Sequence, residues 1–497
     1  MISWIVLRRR LEQAGLLLAT QGPADTDFVI DHLANDSRKV GPNGLFIALR
    51  GERADGHLFI DKAVQNETIA VVCEAMPEGA PHRFPGVAFA QVQDGRAALA
   101  ELAAAFYGDP SQALTLVGVT GTNGKTTTAY LVHHLLTALG RKAGLIGTIE
   151  YYFGGAPVAA THTTPDTLDL NRMLRQMVDA GCTACAMEVS SHALAQERVR
   201  TLRFDVGIFT NLTHDHLDYH GTLEAYRNAK KRLFDGLPSR ATALYNRDDP
   251  AGSQVVADTG ARVMSYGFSE AADVPVTVLA DAFAGLRLRL GGREQAFRLV
   301  GRFNAYNLAA AYGAACALGY APDDVLAALA EAPPVPGRFE QIRFEDGTIV
   351  IVDFAHTPDA LENVLQTIRR AQPDTASLWC LFGCGGDKDP TKRPFMGALA
   401  ERYADHVIVT ADNTRTEPLA QIMDDIRAGM EHPEEAQWID DRRAAIETAA
   451  RQAAPGDVVL IAGKGHEPYQ ILGTETFPFN DREEAMKYFK FRGTNVV

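Results

Sequence analysis

The stretch that most constrains the fold is Gly118-Val119-Thr120-Gly121-Thr122-Asn123-Gly124-Lys125-Thr126-Thr127-Thr128. An apolar run, Leu114-Thr115-Leu116-Val117, precedes it, and a helical pattern from Ala129 to Leu136 follows. Strand, glycine loop, lysine, hydroxyl and helix in that order predict a cradle whose backbone N–H groups and positive helix end face an anion. Lys125 adds a point charge, and Thr126 places a hydroxyl where magnesium can be reached. The segment Gly121, Thr122, Asn123, Gly124, Lys125, Thr126 and Thr127 is therefore read as a nucleoside triphosphate site. Its spacing departs from the general pattern: only Thr122 and Asn123 separate Gly121 from Gly124, and Val119 stands where a first glycine is usual. A purely structural strand-to-helix turn is the competing reading.

With 497 residues the chain has room for about three domains. Hydrophobic content of 46% allows large cores, and a formal charge of −14 argues against a general nucleic-acid binder. Cys182 and Cys185 form a CxxC without a second pair or a nearby histidine to complete a zinc pattern, so buried thiols in a reducing compartment are expected. The opening puts its basic run, Arg8-Arg9-Arg10, after a short apolar stretch, the reverse of a signal peptide. No apolar run reaches membrane-spanning length. A cytoplasmic, monomeric protein without membrane insertion is expected.

Breakers at Gly108-Asp109-Pro110-Ser111 and Ala332-Pro333-Pro334-Val335-Pro336-Gly337 suggest domains at 1–108, 109–335 and 336–497. The first reads as a small α/β unit, with strand runs at Leu45–Leu49 and Ile69–Cys73 and a helix at Arg96–Tyr107. Around the glycine loop, strand runs at Ala184–Val189, Val206–Thr210 and Ala243–Asn246 alternate with helices, predicting a mostly parallel P-loop-type sheet. Residues 275–300 resemble an antiparallel meander, and Asn304–Leu318 an alanine-rich helix. Beyond the second breaker, runs at Ile349–Val352, Leu378–Phe382, His406–Thr410 and Val458–Ile461 predict a second, Rossmann-like sheet.

Ligands of open α/β sheets sit beyond the carboxyl ends of the strands, and the unusual polar residues gather there. Glu188, Ser190, Ser191 and His192 follow one run; Asn211, His214, Asp215, His216, Asp218 and His220 follow the next. In the last segment Asp353 and His356, then Gly383–Asp389, Asp412–Arg415 and Gly463–Glu467, follow successive strands. Helix capping and loop hydrogen bonds are the competing readings for each. Three histidines within 214–220 are compatible with zinc, but hard oxygen ligands and magnesium suit a phosphate site better.

These motifs, taken in order, resemble the Mur ligases over essentially the whole chain. Asp36-Ser37-Arg38 resembles the family's uridine-nucleotide domain, and Thr120–Thr127 its phosphate loop with the shortened spacing. Thr163–Asp166, Glu188–His192, Asn211–Asp218, Gly301–Asn307, Gly337–Glu340 and Asp353–Asp359 continue the match. The resemblance implies a peptidoglycan-precursor ligase that uses ATP and Mg2+ to join an amino acid to UDP-N-acetylmuramoyl-L-alanyl-D-glutamate through an acyl phosphate.

It also implies roles. Lys125 and the loop hold the β- and γ-phosphates, with Thr126 on one magnesium and Glu188 and His216 on a second. Lys230 stands where the family has a carbamylated lysine, a further metal ligand. Asn304 and Asn307 resemble adenine-side contacts, while Arg338, Asp353 and His356 close on the nucleotide. Ser37, Thr163, Thr164, Ser190, Gln196 and Arg198 match the uridine-muramoyl side. Arg393, Asp412, Asn413, Arg415, Gly463 and Glu467 match the amino-acid pocket.

Relatives add meso-diaminopimelate or L-lysine, which differ by one distal carboxylate that a planar guanidinium grips well. The diaminopimelate group carries Asp-Asn-Pro-Arg; here Thr414 replaces the proline and Arg415 is kept. Diaminopimelate is therefore the expected substrate. An L-lysine-adding homologue, a folylpolyglutamate-synthase-like ligase and a nucleotide-binding module without turnover remain the alternatives.

Overall fold

A computed structural model describes residues 1–51 and 54–490. Its contacts divide the chain into two compact units. One comprises Met1–Gly118, Arg141–Asp205 and Asp235–Ala241; the other comprises Val119–Gly140, Val206–Phe234 and Thr242–Val497.

The first unit begins with helix α1 (Trp4–Gln13) and strands β1 (Leu17–Gln21), β2 (His32–Ala34), β3 (Gly44–Ile47), β4 (Ala70–Cys73) and β5 (Ala88–Val92). They form a sheet in the order β1-β5-β4-β3-β2, parallel except for β1. Helix α2 (Gly95–Phe106) starts where the Asp94 carboxylate accepts the N–H groups of Arg96 and Ala97. Its alanines and leucines join Leu45, Ile47, Ala70, Val72 and Ala90 in one core, while the alternate residues Phe46, Val71 and Phe89 face another. Both faces are covered, which is why these strands are continuous apolar runs.

The largest sheet has 11 strands. Its members are β6 (Thr115–Thr120), β7 (Ala143–Ile146), β8 (Glu150–Tyr152), β9 (Val158–Ala159), β10 (Ala184–Glu188), β11 (Val206–Phe209), β12 (Thr242–Asn246), β13 (Arg262–Gly267), β14 (Val274–Ala282), β15 (Gly285–Leu290) and β16 (Arg293–Phe297). The order is β9-β8-β7-β10-β6-β11-β12-β13-β14-β15-β16. Helices α3 (Lys125–Ala138), α4 (Thr167–Asp179), α5 (Leu223–Asp235) and α6 (Arg302–Ala317) accompany it. The sheet is mixed, with parallel strands in its middle and antiparallel strands at both flanks. Pairs β7–β10 and β11–β12–β13–β14 are parallel, whereas β7–β8–β9 and β14–β15–β16 are antiparallel. The meander expected near 275–300 is β14 to β16. Its burial alternates as a half-exposed sheet requires: Leu286, Leu288 and Leu290 are buried while Arg287 and Arg289 are exposed.

The remaining sheet runs β17 (Glu340–Arg343), β18 (Ile349–Asp353), β22 (Val458–Ala462), β19 (Leu378–Phe382), β20 (His406–Thr410) and β21 (Gln437–Ile439), in that spatial order. It is parallel apart from the edge strand β17. Ile351, Cys380, Val409 and Leu460 face one core; Val350, Leu381, Ile408 and Ile461 face the other. Helices α7 (Pro358–Ala371), α8 (Arg393–Tyr403), α9 (Arg442–Gln452) and α10 (Asp481–Lys490) cover it. The polar edges β17 and β21 are absent from the apolar-run reading because they are short and only partly buried.

Under this sheet's carboxyl ends lies an ion pair with neither side chain exposed. Arg442 donates through Nε and Nη2 to the Asp481 carboxylate at 2.7 and 2.8 Å, and through Nη2 to the Ala462 carbonyl at 2.9 Å. Asp481→Ala strands the guanidinium and is expected to cost about 3–5 kcal/mol, whereas the apolar pair Arg442→Met with Asp481→Leu costs less. Thermal or urea unfolding of the three proteins checks this ordering.

Candidate functional site

The phosphate loop is held by close approach. At Gly121, φ is +151°, and a Cβ would stand 1.8 Å from the Thr210 hydroxyl, so no other residue fits. Thr210 sits just past β11 and donates to the Asn123 carbonyl at 2.7 Å. The Asn123 N–H donates to Asn211 Oδ1 at 2.8 Å, and the Thr122 N–H to the Asn211 carbonyl at 2.9 Å. Asn123 Nδ2 reaches the Asp359 carboxylate in the first turn of α7 at 2.7 Å. Gly124 caps α3, whose first turn carries Lys125, Thr126 and Thr127.

Two lysines converge on this loop. Lys125 Nζ donates to the carbonyls of Gly121 and Thr122 at 3.0 and 2.8 Å. Lys230, on α5 and 1% exposed, donates to the same Gly121 carbonyl at 2.7 Å and lies 4.1 Å from the Tyr226 ring centre. Burial, and then the charge of Lys125, push its amine well below the usual lysine range, against a smaller pull from Asp215. Lys231 next door instead pairs with Asp258 at 2.8 Å.

His216 adopts φ +53° beside Asp215, with Nε2 3.4 Å from the carboxylate. Burial alone would raise the Asp215 carboxyl, but the fields of His216, His356, Lys392 and Lys125 outweigh it and hold it below its ordinary value. Asp215 and Lys392 were not singled out in the sequence as site residues. The polar cluster at 211–220 was the signal for Asp215, whereas Lys392 comes from a distant loop. Lys392 Nζ donates to the His356 carbonyl at 2.7 Å.

Arg338 reaches the first turn of α3, donating through Nη2 to Thr126 Oγ1 at 3.3 Å while lying 4.4 Å from the Phe354 ring centre. Asp353 braces the turn beside it by accepting the N–H groups of Phe339 and Ala355 at 2.6 and 2.7 Å. Asn304 donates to the Val300 carbonyl at 2.7 Å and accepts from Asn307 Nδ2 at 2.9 Å. Asn304, Thr127, Arg338, Phe339, Val335 and Phe283 are among the residues lining a cavity of about 420 Å³. Its placement beside the first turn of α3 gives room for a flat base next to the phosphate loop.

The loops after β20 and β22 form a further cluster. Asp412 Oδ1 accepts the Asn413 N–H at 2.6 Å. Gly463 has φ +111°, and a Cβ there would approach the other Asp412 oxygen to 2.7 Å. Asn413 Nδ2 donates to Glu467 Oε2 at 2.8 Å. Arg415, at φ +52°, uses Nη1 on the carbonyls of Gly386 and Asn413 at 2.8 and 3.3 Å. Arg393 is fully buried, with Nη1 and Nη2 on Glu417 at 2.6 and 2.7 Å and Nη1 on Asp425 at 2.7 Å. It therefore braces the loop that carries Arg415.

The first unit holds a strip of its own. Glu188, fully buried at the end of β10, accepts the Thr148 N–H at 2.8 Å and the Thr148 hydroxyl at 3.0 Å. Thr148 also meets the Thr163 hydroxyl at 3.1 Å. Thr164 donates to the Glu188 carbonyl at 2.8 Å and accepts the Ser190 N–H at 3.0 Å. Arg198 bonds the Thr164 carbonyl at 2.8 Å and Gln196 Oε1 at 2.6 Å. The Ser190 hydroxyl caps the short helix Ser191–Ala195, so it has a structural duty as well. Ser37 is buried in the N-terminal sheet region, its carbonyl accepting Asn66 Nδ2 at 2.7 Å. Cys182 and Cys185 are buried thiols whose pKa burial raises, as expected for structural cysteines.

Among the described residues no three His, Cys, Asp or Glu side chains cluster as metal ligands. Magnesium in a phosphate site takes most of its ligands from phosphate and water, so the Thr126 hydroxyl at the start of α3 is a donor of the fitting kind.

Burial lowers His356 to about 4, with Lys392 adding to it, and raises Asp353 to about 6, against Arg338 and two backbone N–H groups. Stability from neutral His356 is present above pH 6.5 and lost as pH falls toward 4. Stability from protonated Asp353 is present below pH 3.8 and lost as pH rises through 6. The two slopes oppose each other between pH 4 and 6. Relative to the parent, His356→Gln is expected to gain stability as pH falls through this window, and Asp353→Asn as pH rises, each by up to about 1.4 kcal/mol per pH unit. Unfolding midpoints at pH 4, 5, 6 and 7 give the two signs.

Three family descriptions match the chain: Mur ligase family, catalytic domain, on residues 29–107; Mur ligase middle domain on 119–315; and Mur ligase, glutamate ligase domain, on 337–465. The UDP-N-acetylmuramoyl-L-alanyl-D-glutamate–2,6-diaminopimelate ligase of Parabacteroides distasonis is 45% identical over 462 residues, covering 93% of this chain and 94% of that protein. The like-named ligase of Geobacter metallireducens is 45% identical over 488 residues, with the same two coverages. A solved structure of a ligase of that name superposes with a TM-score of 0.65 at 34% identity, over 93% of this chain and 94% of its own. A folylpolyglutamate synthase of Mycobacterium tuberculosis, complexed with ADP, shares the fold at 21% identity and a TM-score of 0.60, over 73% of this chain and 91% of its own.

Proposed function

Since the chain belongs to the Mur ligase family, we propose that it joins meso-2,6-diaminopimelate to UDP-N-acetylmuramoyl-L-alanyl-D-glutamate at the expense of ATP, a step of peptidoglycan precursor synthesis. The observation that carries this reading is the phosphate loop with two lysines on one carbonyl, in a chain 45% identical to ligases of that name. A folate-type ligase is disfavoured because the matching synthase covers 73% of the chain, whereas the diaminopimelate ligases cover 93%.

A carboxylate repels an incoming amine and offers no leaving group. Transfer of the γ-phosphoryl group to the D-glutamate carboxylate removes both obstacles. The amine then adds to the acyl phosphate, a tetrahedral intermediate forms, and phosphate departs as the amide bond closes. Such chemistry asks the protein for positioning and charge neutralisation. We assign the phosphates to Lys125 and the loop amides from Gly121 to Thr127, and the base to the cavity at Asn304, with Asn307 fixing the Asn304 amide. Arg338 is assigned to the transferring phosphate, and Asp353 and His356 to the turns that place it.

Magnesium, when bound, supplies neutralisation of the phosphate oxygens. Thr126, His216 and Lys230 are the residues assigned to it, and Glu188 is proposed as a further ligand. A neutral amine adds to CO2 with loss of one proton, giving an anionic carbamate in place of a cation. The depressed pKa of Lys230 supports that modification. Ser37, Thr163, Thr164, Ser190, Gln196 and Arg198 are assigned to the uridine-muramoyl substrate. Asp412, Asn413, Gly463, Glu467 and Arg415 are assigned to diaminopimelate, with Arg393 holding the Arg415 loop. We also assign these duties to three functional segments, 1–108, 109–335 and 336–497. No helix among the described residues is long and apolar enough to cross a membrane.

Phosphate release with each amino acid tests the specificity. Diaminopimelate is expected to outperform L-lysine by roughly 10⁴ in kcat/KM, because lysine leaves Arg415 unmatched. Arg415→Ala should lower kcat/KM for diaminopimelate by roughly 10- to 100-fold. Equal use of both amino acids by the parent protein removes the assignment. Lys230→Ala is expected to abolish turnover and to recover part of it with added formate or acetate; full activity without either additive argues against the carbamate.

A further inference from the structure

Lys464 is fully buried, yet the reaction as described gives it no task. Its Nζ donates to Asn413 Oδ1 at 3.1 Å and to Glu467 Oε2 at 2.9 Å, with Asp412 Oδ1 4.0 Å away. Asn413 Oδ1 also accepts the Ile471 N–H at 2.9 Å, so two donors fix which end of the amide is oxygen. The Asn413 NH2 group must then point the other way, and it meets the same Glu467 Oε2 at 2.8 Å. One oxygen of Glu467 is thus held twice, while Oε1 has no hydrogen-bond partner among the described residues.

Charged groups crowd this point. Arg442 feels the fields of Asp481, Asp412 and Glu467, and Tyr469 those of Glu467, Arg415 and Asp412. Within that set the carboxylate oxygen of Glu467 not already held is Oε1, which is an acceptor for an ammonium group.

We propose that Lys464 is a positioning residue for the amino-acid substrate: it locks the Asn413 amide and one Glu467 oxygen so that Glu467 Oε1 receives the substrate's ammonium group. The inference rests on the amino-acid pocket assigned above. It predicts a defect confined to one of three substrates. A buried lysine that merely holds the fold together affects all three alike.

The test is steady-state phosphate release by the full-length protein, varying ATP, the UDP-linked dipeptide and diaminopimelate in turn. Lys464→Met removes both hydrogen bonds and the charge; Lys464→Gln keeps a donor of similar length without the charge. The expected result for Lys464→Met is a rise of roughly 10- to 100-fold in KM for diaminopimelate, with less than about 2-fold change in the other two KM values. Lys464→Gln should fall between Lys464→Met and the parent and serves alone if Lys464→Met does not fold. An unchanged KM for diaminopimelate, a parallel rise in all three values, or loss of folded protein in both variants overturns the inference. Absence of diaminopimelate-dependent phosphate release in the parent protein instead overturns the pocket assignment beneath it, so the two failures are distinguishable.

Discussion

The carbonyl oxygen of Gly121 accepts from two lysines, and much of the second unit is arranged around that contact. Two ammonium groups cannot share one acceptor at no cost. Burial and the neighbouring charge settle the conflict by driving Lys230 toward its neutral form, while Lys125 is the less buried of the two. The arrangement requires Gly121 to lie against Thr210, which requires β11 beside β6, which the sheet order supplies. The loop's unusual spacing is therefore tied to its neighbours. Thr122 and Asn123 are both held by Asn211, so the short interval between the glycines is filled by residues with a partner in the loop after β11.

Local signals carried far in this chain. The strand–loop–helix at 115–138, the meander at 274–297 and the buried parallel strands beyond residue 349 are legible because periodicity and glycine placement are properties of contiguous residues. The edges were not. The short strands at 340–343 and 437–439 carry polar residues and are only partly buried, so no apolar run marks them. The central sheet's antiparallel flank at 150–159 escaped because its two strands are only three and two residues long.

Site residues divide along the same line. Lys125, Glu188, His216 and Lys230 are assigned by motif. What each one touches is not, because the partners lie tens to hundreds of residues away: Asn123 with Asp359, or Arg338 with Thr126. Arg393 and Asp353 show the consequence. Both were read as ligand contacts, and both spend their polar atoms inside the protein, Arg393 on Glu417 and Asp425, Asp353 on two backbone N–H groups. An ionisable residue after a strand announces that charge is needed there. It does not say whether the recipient is a ligand or the loop that holds the ligand.

The buried pair of Arg442 and Asp481 gives the end of the chain an importance its position does not suggest. Asp481 opens α10, and through Arg442 it is tied to the carbonyl of Ala462, the residue before Gly463. A truncation ahead of residue 481 would remove more than a covering helix. It would leave an arginine without its counter-ion directly beneath the loop that carries Lys464 and Glu467. For this protein, the choice of where to end a shortened chain is a decision about the loop assigned to the amino acid.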